Sequence, residues 1–130
     1  MTLIERPPSS WLQKFRCAFR GVTFAVRSQN SFAVHLAVAA AVVAAGVVLQ
    51  VSLVEWCLLV LCIVAVVAAE LANTAIERLA KAISHEHSEE IRDALDVTSG
   101  AVLLAAIGAA VVGTIVFLHR LGVLFEWWSD

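Results

Sequence analysis

A chain of 130 residues that is 61% hydrophobic and only 15% charged, with a mean hydropathy of +0.88, cannot clothe itself in a polar surface, which excludes an ordinary soluble domain. The net charge of −2 and a pI near 6.0 exclude the basic surface that nucleic-acid binding needs, so no nucleic-acid partner is expected. Three cysteines, Cys17, Cys57 and Cys62, are an odd number without metal-type spacing and read as small buried hydrophobes.

The N-terminal MTLIERPPSS places Arg6, Pro7, Pro8 and an acid where a secretory signal would carry its apolar core, so no cleaved signal is expected. The next segment, SSWLQKFRCAFRGVTFAVRSQ, repeats Trp11, Phe15, Ala18, Phe19, Val22 and Val26 on one helical stripe, with Lys14, Arg16, Arg20 and Arg27 elsewhere on the wheel. Ser10 with Gln13 gives a capping-box start, predicting an amphipathic surface helix over about 10–28.

Three apolar runs follow, 31–49, 53–69 and 99–118, each close to the ~20 residues that cross a bilayer core. Only Gln50, Val51 and Ser52 separate the first two, which predicts a tight antiparallel hairpin. The second connection, SHEHSEEIRD, is strongly polar and reads as a loop. Spans are expected over about 31–49, 53–79 and 94–118 of a single domain, 1–130. Arg6, Lys14, Arg16, Arg20, Arg27, Arg78, Lys81 and Arg92 fall on one side and Arg120 on the other, which predicts a cytoplasmic N-terminus and an outer C-terminus in a plasma (inner) membrane. Trp56, Trp127 and Trp128 then fall at the outer interface. Ladders of small residues, Ala37, Ala41 and Ala45, then Ala101, Ala105, Ala109 and Gly113, suit close helix approach and assembly with further copies. The expected fold is an all-α integral membrane three-helix bundle with an N-terminal surface helix.

The polar residues of VAAELANTAIERLAK carry the chemistry. Glu70 lies 17 residues beyond Leu53, about 26 Å at the helical rise, at the cytoplasmic edge of the core. Asn73 and Glu77 share its face at i+3 and i+7, while Asp96, flanked by Arg92, Asp93 and Ser99, returns to the same depth at the start of the third span. Ionisable groups at membrane depth are costly and mark functional sites. Carboxylates and an amide provide hard oxygen ligands for an ion such as Mg2+, and a further carboxylate can accept a proton from an alcohol. Such a set suits phosphoryl transfer to a lipid alcohol, although neither a G-x-x-x-x-G-K-[ST] loop nor a G-x-G-x-x-G turn is present. The competing structural account pairs Glu77 with Lys81 and Asp96 with Arg92 as ion pairs at wet helix ends. His85-Glu86-His87 reads as a solvated stretch rather than a metal site, and His35 as an interfacial histidine within reach of a headgroup or nucleotide.

ELANTAIE (70–77), followed by ALDVTSGAVLL (94–104), resembles the signature of the prokaryotic diacylglycerol kinase and undecaprenol kinase family, and FRGVTFAVRSQNSFAVHL (19–36) resembles its N-terminal region. The resemblance covers about residues 11–120. It implies a homotrimer with sites between protomers, Mg2+ and ATP as phosphoryl donor, and a membrane lipid alcohol, diacylglycerol or undecaprenol, as acceptor. By the same resemblance Glu70 is the general base and Asn73 and Asp96 position the reacting centre. Glu77 and Gln29 hold metal, and Arg20, Thr74, Lys81, Arg92 and Ser99 contact nucleotide or substrate. This chain departs from the family pattern at Gln29, usually acidic; at Lys81, usually Asp; at Leu95, usually Lys; and at Ala33, often Arg. Those exchanges leave as alternatives a catalytically degenerate helical assembly, and, from the surface helix alone, a peripheral lipid sensor.

Overall fold

The computed structural model describes residues 10–83 and 88–126, and these form four helices without a strand. Arg6, Pro7, Pro8, His85, Glu86, His87, Trp127 and Trp128 lie outside the described residues. The helices are α1 (Trp11–Ser28), α2 (Asn30–Val48), α3 (Leu53–Ile83) and α4 (Glu89–Leu124). The last three are each long and apolar enough to cross a membrane.

Helix α1 begins where the sequence places it: Ser10, extended at φ −109 and ψ 152, accepts the Gln13 amide at its hydroxyl. A single extended residue, Gln29, separates α1 from α2 and caps neither helix with its side chain. That amide is committed elsewhere, to the polar cluster described below.

The hairpin between α2 and α3 is closed by main-chain geometry. Gln50 takes a left-handed conformation (φ 53), the Gln50 amide donates to the Val47 carbonyl at 3.3 Å, and the Val51 amide reaches back to the Gly46 carbonyl at 3.2 Å. This is a Schellman ending, with buried Val51 as its apolar contact. Ser52 and Glu55 then form a reciprocal capping box, each accepting the other's backbone amide at 3.2 Å. Arg120 Nε donates to the Leu49 carbonyl at 2.8 Å, so this cation of α4 satisfies an orphan acceptor of α2.

The apolar core gathers at this same end: Val51, Leu59 and Val116, surrounded by Val42, Leu49, Trp56, Val112 and Phe117. Trp56 lays its ring on Gly46, where an added Cβ would stand 2.7 Å from the ring, so this indole packs within the hairpin. Most interhelical packing is between α3 and α4, with α2 on α3 and α1 against both.

Two boundaries differ from expectation. Helix α3 continues to Ile83 and α4 begins at Glu89, so Ser88-Glu-Glu-Ile-Arg-Asp93, read as loop, is cap and helix. Ser88 accepts the Ile91 amide and donates to Glu90 Oε2 at 3.0 Å; the helix-start amide, then Ser88, hold the exposed Glu90 carboxyl below the usual carboxylate range. The apolar run fixes where a helix crosses lipid, whereas caps fix where it starts and stops. The cysteines are free, and Cys17 and Cys57 are exposed on the chain rather than buried.

Candidate functional site

At the end of the bundle away from the apolar core, α2, α3 and α4 contribute to one polar cluster. Helix α3 supplies Glu70, Asn73, Thr74 and Glu77, spaced so that one face turns inward: Glu70, Asn73 and Thr74 are buried and Glu77 half-buried. A carboxylate this deep persists only with partners. Glu70 has them: the Ser31 hydroxyl donates to Oε1, and His35 Nε2 stands 3.6 Å from Oε2. Thr74 returns its hydroxyl to the Glu70 carbonyl at 3.0 Å, satisfying itself within the helix.

One turn further, Glu77 is held on both oxygens. Asn73 Nδ2 donates to Oε1 at 2.9 Å and Gln29 Nε2 to Oε2 at 3.0 Å. The Thr98 hydroxyl of α4 donates to Asn73 Oδ1 at 2.9 Å, with the Leu95 carbonyl as an alternative acceptor at 3.0 Å. Gln29, Glu77, Asn73 and Thr98 thus form a continuous chain of side-chain hydrogen bonds from the α1–α2 junction through α3 to α4. Nearby, the Arg78 guanidinium lies 4.6 Å from the centre of the Phe24 ring, tying α3 to α1 by a cation–π contact. Arg20 and Arg27 line a separate cavity with Thr23, Phe24 and Ser28.

Four of the sequence-predicted residues, Glu70, Asn73, Glu77 and Gln29, come together in this cluster, and Thr74 is buried beside them. Asp96, Ser99, Arg92 and Lys81 are exposed, and none enters a described hydrogen bond of the cluster. Among the described residues no ion pair joins Glu77 to Lys81 or Asp96 to Arg92. Sequence reasoning did not single out Ser31 or Thr98 and gave His35 a different partner. Ser31 and His35 are four apart on the first turns of α2, which is the signal that could have found them. Thr98 lies inside the quoted motif, but only the α3–α4 register turns it, rather than Ser99, onto Asn73.

A divalent cation of the hard class fits this donor set. Glu77 offers a carboxylate, and Gln29 carries a carbonyl oxygen on the same terminal carbon as the nitrogen now donating to Glu77. Among the described residues no three His, Cys, Asp or Glu side chains gather as a metal cage. Such a sparse oxygen set suits Mg2+, which keeps several waters and leans on substrate phosphates.

Membrane-length helices that bury an acid–amide network at one end define a small multi-pass membrane protein with a built polar site. The chain belongs to the prokaryotic diacylglycerol kinase family, whose sequence pattern matches residues 16–117, and it is a lipid kinase by that membership. It is 32% identical over 111 residues to the undecaprenol kinase of Bacillus subtilis (strain 168), covering 85% of this chain and 90% of that protein. It is 35% identical over 111 residues to the diacylglycerol kinase of Synechocystis sp. (strain ATCC 27184 / PCC 6803 / Kazusa), covering 85% of this chain and 63% of that protein. No solved structure matches the chain significantly.

Proposed function

We propose that the protein transfers the γ-phosphoryl group of ATP to the hydroxyl of a membrane lipid alcohol, diacylglycerol or undecaprenol, at the cytoplasmic face of the inner membrane. The observation that carries this reading is Glu70: a buried carboxylate at the end of a membrane span, two turns from a second carboxylate already held on both oxygens. The two similar kinases, one named for each lipid, support the acceptor class.

In this reading Glu70 accepts the proton of the lipid hydroxyl as its oxygen attacks the γ-phosphorus. Glu77 and Gln29 would hold Mg2+, which would supply charge neutralisation for the transferring phosphate. Asn73, fixed by Thr98, keeps the Glu77 carboxylate aimed. Lys81, Arg92 and Arg20, all exposed, are the cations available to the nucleotide, with Asp96 and Ser99 beside it on α4. Phosphoryl transfer asks mainly for positioning and charge neutralisation, so a rigid polar cluster in place of a phosphate loop suffices.

The excess of basic residues at the end of the bundle that carries the site supports a cytoplasmic N-terminus and a cytoplasmic site. Helix α1, with Trp11, Phe15 and Phe19 exposed, rests its apolar stripe on that leaflet. Three copies of the chain bury the small-residue ladders that one copy leaves open.

Transfer of labelled γ-phosphate to each lipid in the same detergent, with and without Mg2+, tests the reading. Metal-dependent transfer is expected, reduced about 10²- to 10⁴-fold by Glu70→Gln, the range a positioned general base contributes. Wild-type rates in Glu70→Gln would remove the residue from the mechanism.

A further inference from the structure

We propose that His35 is a positioning residue for Glu70 that takes from it the proton which Glu70 removes from the acceptor alcohol. The inference rests on the reading of Glu70 as general base. In the transfer step the lipid oxygen forms a bond to the γ-phosphorus, and the bond from that phosphorus to the bridging oxygen breaks with its electron pair leaving on ADP. The hydroxyl proton is left on the Glu70 carboxyl. Before the next turnover that proton must go, and the Glu70 side chain is only 5% exposed, so water has little direct access to it.

His35 is placed to remove it. Its Nε2 lies 3.6 Å from Glu70 Oε2, a few tenths of an ångström beyond hydrogen-bond range, while the Ser31 hydroxyl occupies the other oxygen. Its side chain is 22% exposed, far more than that of Glu70. It stands five residues into α2, about 7.5 Å along the axis from Asn30, close enough to the interface to pass a proton to water. With the hydrogen on Nδ1, Nε2 is the free base, and imidazole exchanges protons near neutral pH better than any other ordinary side chain.

The surroundings leave this exchange to the pair. From α3, Glu70 faces His35 at 3.6 Å, and Cys62 is the other titratable group of that helix in the cavity His35 lines. The α4 residues that line the same cavity as His35 are uncharged, among them Ala106, Ala109 and Ala110. The α1 cations Arg20 and Arg27 line the separate cavity beside Phe24. Ser31 donates its hydroxyl to Glu70 and does not change charge, so it orients the carboxylate without draining it.

The test measures kcat and KM for ATP and lipid with full-length protein, comparing His35→Ala, His35→Gln and His35→Ala with added imidazole. Glu70→Gln serves as reference, and thermal unfolding of each variant serves as the folding check. The expected result is a fall in kcat of about tenfold or more in both His35 variants, with both KM values little changed and partial recovery of the Ala variant by imidazole. His35→Gln keeps a polar side chain of similar reach, so it reads the relay even where the Ala variant unfolds. Unchanged kcat in His35→Gln, or a loss in the folded Ala variant that imidazole does not repair, overturns the relay. In either case Glu70 remains the base if Glu70→Gln alone abolishes transfer. Absence of transfer by the unsubstituted chain removes the kinase reading and the relay with it.

Discussion

Gln29 stands where the resemblance leads one to expect an acid, and its surroundings explain how the chain accommodates an amide there. An acid there would face Glu77 across a hydrogen-bond distance, whereas the amide donates to Glu77 Oε2 at 3.0 Å and ties the two side chains together. The expected consequence is a weaker hold on Mg2+ and a more stable metal-free protein. Gln29→Glu therefore lowers the thermal midpoint without Mg2+, because two carboxylates then repel, and lets Mg2+ raise that midpoint further than in the unsubstituted chain, because a ligand bound only to the folded state stabilises it. A variant whose unfolding ignores Mg2+ would place the metal elsewhere. Glu70, Asn73 and Glu77 were legible as one face from their spacing alone. Ser31, His35 and Thr98 were not, because each meets its partner across a helix boundary, and sequence spacing carries no information on which face of α2 or α4 turns towards α3.

The helices themselves show which local signals decide an ending. The expected span 53–79 lies within α3, a helix of 31 residues, about 46 Å, which is longer than a ~30 Å core requires. Hydropathy marks the apolar part of this helix and not its polar continuation, because polar residues are good helix formers once a helix is running. The S-x-x-E pattern at Ser52 and Glu55 was available in the sequence and is a working capping box. The left-handed Gln50 is a different matter, since a non-glycine residue at φ 53 is held there only by the two hydrogen bonds of the Schellman ending. Gln50→Gly relieves a strain of roughly 1–2 kcal/mol, partly offset by glycine's larger entropy loss on folding. The net expectation is a gain of about 1 kcal/mol, read as a higher unfolding midpoint in detergent with transfer activity unchanged. A loss of stability would mean that the Gln50 side chain holds a partner of its own.

For the molecule as a whole, exposed surface is the quantity to explain. The single chain exposes 9916 Å², against about 6,700 Å² for a compact soluble protein of 14.0 kDa. Leu36, Val43, Leu61, Val64, Leu104, Val111 and Ile115 are all exposed on helices of membrane length. Lipid can cover such residues, but Ala37 and Ala41, exposed on α2, are shaped for another helix rather than for acyl chains. In detergent the protein is expected to have the mass of three chains, and Ala41→Trp to reduce it to one by blocking close approach. A chain that is already single by native mass spectrometry or sedimentation would assign the ladders to lipid contact.

Composition, hydropathy and residue spacing sufficed to establish an all-helical membrane protein, its three candidate spans and the acidic face of α3, because each is a property of residues close together in the chain. The motif pair added the family, which the match of the family pattern to residues 16–117 bears out. Only the tertiary structure decided that Gln29 and Asn73 share Glu77, that Thr98 rather than Ser99 meets Asn73, and that Glu70 lies between Ser31 and His35. Those contacts depend on the rotation and register of helices 25 to 48 residues apart in sequence, which packing sets and local pattern does not encode.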